Sequence, residues 1–382
     1  MPESIVRRSR SEYSLTVEAP VEFDLKPDFE ASRKRYDAFW DQSVIDRPLV
    51  CVTLPRRHAP GEREPASLAR TYPDEASRWL DLDGRVDRMV WQLEHTEFLG
   101  DALPVAWPNM GPEIFSAWCG AGYEFGETTT WSTPSIEDWD RDAPGSRLNL
   151  EHPLFKATLD MTDKLIERGR GRFIVGLTDF HPGGDHLAAL RDPQQLALDL
   201  FDNPGWVKRM VDVAGRDFFT AYDVFYERIS AAGMPSTSWI PLIAYGRYYI
   251  PSNDFSAMIS PAMFEEFFLD GLVEECRFLD RSIYHLDGPG SLPHLDLLLG
   301  IEELDAIQWV PGAGNESLER WMPVYRRIQA AGKSMQILDV NLDNYELLFE
   351  HLRPEGVYVG SVGGVRDRET AETVLKRFAR WR

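Results

Sequence analysis

Two short stretches of the chain combine residue types that could do chemistry. The first is Tyr284-His285-Leu286-Asp287-Gly288-Pro289-Gly290. At a strand end, His285 and Asp287, two residues apart, share one face. An imidazole beside a carboxylate works as a general acid and base. The same pair supplies two ligands to a metal such as zinc or iron. The Gly-Pro-Gly that follows permits close approach of a ligand. A hydrogen-bonded pair that only stiffens the strand end is the competing reading. The second stretch is Thr178-Asp179-Phe180-His181-Pro182-Gly183-Gly184-Asp185-His186. Asp179 and His181 repeat the spacing; Asp179 is expected to be catalytic and His181 to contact substrate. Asp185 reads equally as the N-cap of a helix over residues 185–190. His186 is expected on the surface of that helix. No HExxH or comparable metal-binding spacing occurs.

Other candidates are single residues. Asn109, in Pro108-Asn109-Met110-Gly111-Pro112, could orient a substrate by its amide, although turn chemistry alone selects asparagine in such a loop. Arg247 with Tyr248 and Tyr249 could bind an anionic group by fork geometry and stacking; a surface salt bridge is the alternative. Gln308, Trp309 and Asp339 stand where later strands should end and are expected to touch substrate. Arg56, Arg57 and His58 follow the first apolar run, and Asp254 follows Tyr249. Trp107, Trp131, Trp239 and Trp309 read mostly as core, with one or two forming an apolar wall for the substrate.

The elements that must position these residues are visible as a recurring pattern. A short apolar run, a Gly- or Pro-bearing loop and a helical stretch follow one another, which is the signature of βα units. The runs are residues 49–54, 103–107, 173–178, 236–242, 282–287, 305–310, 334–339 and 356–361. Eight strands with helices between them predict an α/β protein built as a single (β/α)8 TIM barrel, whose chemistry sits at the C-terminal strand ends. Val207, Met210, Val211, Ala214, Phe218, Ala221, Phe225 and Ile229 form one apolar stripe of a helix over 204–231. A second stripe after Ser260-Pro261 runs from Phe264 to Leu279 and includes Cys276, read as core. Residues 1–48 are expected to be an N-terminal extension, with a helix around 28–42 packed on the barrel of residues 49–382. Long connections follow the second and third strands, the former spanning 108–144. Such loops usually serve as lids or binding loops.

The 382 residues carry 41 Lys and Arg against 62 Asp and Glu, a net charge of −21. So acidic a chain repels phosphate backbones, which argues against nucleic acid as a partner. Cys51, Cys119 and Cys276 are far apart, so no disulfide framework or paired-thiolate zinc site is signalled. Arg7, Arg8 and Arg10 are not followed by an apolar segment, and no run approaches a membrane span. A cytoplasmic protein is expected.

Tyr284-His285-Leu286-Asp287-Gly288, an apolar helix over 295–299 and then Leu304-Asp305-Ala306-Ile307 resemble the uroporphyrinogen decarboxylase superfamily. That group includes the decarboxylase, the corrinoid-linked methyltransferases and, more distantly, the cobalamin-independent methionine synthases. The resemblance runs from Asp46-Arg47-Pro48 to the C-terminal helix over 368–382 and is strongest over residues 282–382. It implies a (β/α)8 barrel. The methyltransferases carry His-x-Cys-Gly at the fifth strand, where this chain has Asp287 in the Cys position. Their second thiolate lies in a Gly-Cys step after the eighth strand, where this chain has Gly360-Ser361-Val362-Gly363-Gly364. The surviving His285 with Asp287 makes a harder donor pair, suited to zinc or iron with open positions. The decarboxylase's Met-Arg-Gln-Ala-Gly-Arg segment is replaced by Thr53-Leu54-Pro55-Arg56-Arg57-His58. With the net charge, this argues for a ligand smaller than a porphyrinogen.

Three functions follow. The resemblance favours methyl or related one-carbon transfer on a small molecule, with zinc or another divalent metal and a corrinoid protein or folate partner. The alternative is a metal-independent decarboxylase, in which His285 or Asp287 moves the proton and Arg56, Arg57 or Arg247 holds the carboxylate. The third is a barrel that binds a small molecule without turnover.

Overall fold

The computed structural model describes residues 23–56, 62–315 and 317–382. Its strands are β1 (Leu49–Pro55), β2 (Thr96–Gly100), β3 (Val105–Ala106), β4 (Gly122–Phe125), β5 (Thr130–Thr133), β6 (Ile174–Val175), β7 (Tyr248–Tyr249), β8 (Arg281–Asp287), β9 (Ala306–Val310), β10 (Ser334–Ile337) and β11 (Val357–Val359). Seven form one sheet in the order β2-β1-β11-β10-β9-β8-β7. Its pairs are parallel except β1 with β2. Among the described residues β3 pairs with β6, and β4 with β5, outside that sheet. The molecule is a mixed α/β protein with a mainly parallel sheet, and its strand ladder is open at β2 and β7.

Every expected apolar run except residues 236–242 becomes a strand. That segment makes only an isolated bridge, Ser236 to Ala244. Pro241 has no N–H to give to a ladder, and the Leu242 amide donates to Ile240 O as the chain turns back. Strand structure resumes at Tyr248, against β8. Two elements have no counterpart in the sequence reading. β2 adds an antiparallel edge beside β1, and the loop after β3 folds into the β4–β5 hairpin, closed by Gly126 N donating to Thr129 O.

The helix Pro204–Ala231 forms where its apolar stripe requires, burying Val207, Met210, Phe218 and Phe225. The second stripe breaks at Phe268 (φ −124°, ψ −24°) into Pro261–Phe267 and Leu269–Phe278, and Cys276 is buried on the latter. Apolar side chains fill two clusters. The larger lies between the strands and the helices. The smaller gathers Leu49, Ile174, Tyr248, Ile283 and Ala306 from the starts of strands with Phe29, Tyr36, Phe39 and Trp40 of the helix Phe29–Trp40. Trp40 Nε1 donates to Ile243 O (2.8 Å) and Tyr36 OH to Asp101 O (2.7 Å), so the helix is tied down as well as packed. The buried Asp101 carboxylate accepts from Arg35, Arg47 and the Val50 amide. A buried charge persists only when paired in this way. No described helix is long and apolar enough to cross a membrane.

Candidate functional site

The pleat of β8 and β9 decides which side chains reach the strand-end face. His285 pairs with Gln308, Leu286 with Trp309, and Asp287 with Val310. Side chains alternate along each strand, so His285, Asp287 and Gln308 share one side while Leu286 and Trp309 take the other. Gln308 in turn pairs with Gln336 of β10. The side chains continue the register. Gln308 Nε2 donates to Gln336 Oε1 (2.8 Å), which turns Gln308 Oε1 toward His285 Nδ1 at 2.5 Å. The amide oxygen can only accept, so Nδ1 carries a hydrogen, and in the neutral ring this tautomer leaves the lone pair on Nε2. Trp239 meets the ring edge-on, with centroids 5.1 Å apart.

A third group completes the set. Asp254 opens the 3₁₀ turn Asp254–Met258, and ligand-capable atoms of Asp254, His285 and Asp287 all lie within 4.8 Å of one another. Burial, with the nearby Asp254 charge, raises the Asp287 carboxyl above its ordinary range, while His285 pulls it down. Asp185 stands behind this group. Its Oδ1 accepts from the Phe255 amide (2.8 Å), and Ser252 Oγ lies 3.5 Å from Asp185 Oδ2 and 3.4 Å from Asp254 Oδ1. Burial and the Asp254 charge push the Asp185 carboxyl up to about 6.

Asp179 and His181 meet as the spacing suggested, with His181 Nε2 at 2.7 Å from Asp179 Oδ1. Burial alone would discharge the ring. The adjacent Asp179, with Asp185 and Glu275, overcomes it and raises His181 to about 9. Tyr249 fixes this strand end: its OH donates to Thr178 O (2.6 Å) and accepts from the Phe180 amide (2.7 Å). Thr178 Oγ1 reaches across to Pro108 O (2.6 Å), tying the same segment to the Asn109 loop.

Other expected site residues lie elsewhere or are otherwise engaged. Arg247 and Tyr248 stand at the start of β7, not after a strand end, because the fourth run does not form a strand. Arg247 binds Asp223 (3.0 Å) and packs on Phe278 and Tyr226. Tyr248 is fully buried in the smaller cluster, with its OH on Ile240 O. Trp309 points to the helices and packs edge-on to Trp321, with centroids 4.9 Å apart. His186 is buried rather than superficial: Nδ1 contacts Ser116 Oγ (2.9 Å), and burial lowers its pKa to about 3. Asn109 Oδ1 accepts from the Gly111 amide (2.9 Å), the turn reading realised. Asp339 is exposed beyond β10 with φ 59°. Trp131 is 64% exposed on the hairpin. Arg56 is exposed, and Arg57 and His58 lie outside the described residues.

Asp254, Gln336 and Ser252 have no role in the sequence reading. Asp254 is visible there as a carboxylate in a strand-end loop, but its partners lie more than 30 residues away. Gln336 stands out as a polar residue between Met335 and Ile337 in a buried strand, a signal that could have found it.

No family model matches the chain, and no curated protein matches it. Among solved structures it is similar to a methyltransferase from Methanosarcina mazei, with a TM-score of 0.60 and 11% sequence identity. The likeness covers 94% of this chain and 98% of that one, so the two share an α/β fold over nearly their whole lengths.

Proposed function

We propose that this chain is an enzyme that transfers a methyl or related one-carbon group on a small molecule, at a divalent metal held by His285, Asp287 and Asp254. The convergence of these three within 4.8 Å carries the reading. The donor set fits such an ion. One neutral imidazole and two carboxylates suit zinc or iron, and Gln308 already holds the ring with its Nε2 lone pair available, as partners of metal-binding histidines do. A bound ion would supply Lewis-acid activation of the substrate. The protein's own part is positioning. Trp239 walls the ring, Tyr249 fixes the Asp179 strand end, and the Asp179–His181 pair holds a proton beside the site. Fold likeness to a methyltransferase supports the reaction class by analogy. A corrinoid protein or a folate is the partner this reading implies. Among the described residues, 23–48 serve as an extension of a barrel that begins at residue 49; residues 1–22 of that extension lie outside the described residues.

The site reading goes with a closed (β/α)8 barrel. The Leu177 amide donates to Thr237 O, linking the segment after β6 to residues 236–242, and the Asp101 amide donates to Val50 O beside β3. One cluster also takes side chains from β1, β6, β7, β8, β9 and β11. These contacts support a ring whose mouth is the candidate site. Of the arginines open to the decarboxylase reading, Arg247 is engaged with Asp223, Arg56 is exposed and Arg57 lies outside the described residues.

Metal analysis of the purified chain tests the proposal. A stoichiometric divalent ion is expected, retained through gel filtration and lost in His285→Ala and Asp287→Ala. A folded wild-type chain that neither retains nor takes up zinc, iron or manganese overturns it.

A further inference from the structure

Behind the candidate site a cavity of about 30 Å³ lies between the helices Pro204–Ala231, Pro261–Phe267 and Leu269–Phe278. Val211, Phe264, Phe268 and Leu272 make its apolar wall, and Glu275 and Asn253 supply polar groups. Glu275 is 4% exposed and Asn253 6%. Neither Glu275 Oε1 nor Asn253 Oδ1 has a hydrogen-bond partner among the described residues. A buried ionised carboxylate without a counter-ion is strongly disfavoured, and a buried acceptor without a donor is costly too.

We propose that water in this cavity hydrogen-bonds Glu275 and Asn253 together, and that this buried arm fixes the loop presenting Asp254. The second clause rests on the reading of Asp254 as a metal ligand. The space is sufficient, since a buried water needs roughly 10–15 Å³ and two to four polar partners. The chemistry also matches: the two oxygens without partners, Glu275 Oε1 and Asn253 Oδ1, both accept, and the two hydrogens of one water can serve both. Asn253 immediately precedes Asp254, and its amide packs so closely on Gly184 that a β-carbon there would collide with it. Anchoring Asn253 therefore restrains the turn that follows.

Glu275 takes part as the neutral acid. Burial pushes its carboxyl up to about 8, with His181 lowering it and Asp185 raising it. The groups facing it are His181 and Asp185 from the segment after β6, Tyr249 of β7, Tyr284 of β8, and Cys276 of its own helix. In this role Glu275 is a positioning residue.

The test compares wild type, Glu275→Gln and Glu275→Leu in two measurements. The first is thermal unfolding from pH 5 to pH 9. A raised folded-state pKa means stability lost as pH rises toward 8. Wild type is therefore expected to lose ground steadily to Glu275→Gln, which cannot ionise; parallel curves overturn the neutral acid. The second is zinc affinity by competition with a chromophoric chelator. Glu275→Gln is expected to stay within a few-fold of wild type and Glu275→Leu to weaken by roughly tenfold or more, the range for outer-shell partners of a metal site. Equal affinity in all three overturns the positioning role. If wild type binds no zinc, the metal reading and the positioning role fall together, while the unfolding curves still decide the state of Glu275. Infrared spectra of wild type in H₂O and D₂O need no variant: a protonated carboxyl band present at pH 7 and gone at pH 9 is expected, and its absence at pH 7 overturns the proposal.

Discussion

At the scale of the residue, the site is a contest between burial and neighbouring charge. His181 and His186 lie five positions apart and end at opposite extremes. His186, set among Phe115 and Ser116 with no carboxylate in contact, is held neutral. His181, beside Asp179, is held charged although it too is largely buried. The difference predicts the effect of Asp179→Asn. Removing that charge leaves burial dominant, and the His181 pKa should fall from about 9 to below its ordinary value of 6.5. NMR titration of the histidine ring signals measures this directly. A His181 that still titrates near 9 in the variant would show that the charge comes from elsewhere. His285 illustrates a different control, in which a hydrogen bond donated by Nδ1 to the Gln308 amide oxygen places a hydrogen on that nitrogen.

At the scale of the element, β8 and β9 show what could be read in advance. His285 and Asp287 were legible as a same-face pair because the period of a strand is two. Asp179 with His181 was legible for the same reason. The same rule places Gln308 and Trp309 on opposite faces, so expecting both at the substrate asked one strand to face two ways. Trp309→Ala should accordingly leave metal binding intact and cost about 3–5 kcal/mol of stability, as expected for a truncated core tryptophan. Chemical denaturation paired with metal analysis separates the two outcomes, and loss of metal in a fully folded variant would return Trp309 to the site. The roles of Asp254 and Gln336 depend on neighbours from other strands, and only the assembled sheet sets those distances, although Gln336 was visible as a polar residue between two apolar ones. The fourth strand failed for a local reason: Ser236-Thr237-Ser238-Trp239-Ile240-Pro241-Leu242 is apolar enough to suggest a strand, but its proline and turn redirect the chain. Arg247 and Tyr248 accordingly stand at the start of a strand and not beyond the end of one. The hairpin β4–β5 was hidden in a Trp-, Gly- and Pro-rich loop whose pairing depends on cross-strand contacts.

At the scale of the whole molecule, three neighbouring groups near the site share one sign. Asp185 is raised to about 6, Glu275 to about 8 and His181 to about 9. Each binds a proton more tightly folded than unfolded, so each contributes stability that is lost as pH rises through its folded-state value. The net charge of −21 at pH 7 works in the same direction, through self-repulsion that grows with pH. Unfolding free energy should therefore decline between pH 6 and pH 9. Denaturant titrations at several pH values test this, and a rise across that window would contradict these protonation states. On the acid side, Asp199 and Asp217 are held low despite burial, by Arg191 and Arg147 respectively, so their contribution is lost as pH falls below about 4.

The helix Phe29–Trp40 closes the end of the molecule where strands begin, and the last residue lies there as well: Arg382 donates to Asp46 O, just before β1. A linker fused to Arg382 therefore leaves from the face opposite the strand ends. Immobilised by that terminus on a sensor surface, the protein would present Asp254, His285 and Asp287 outward to whatever flows past.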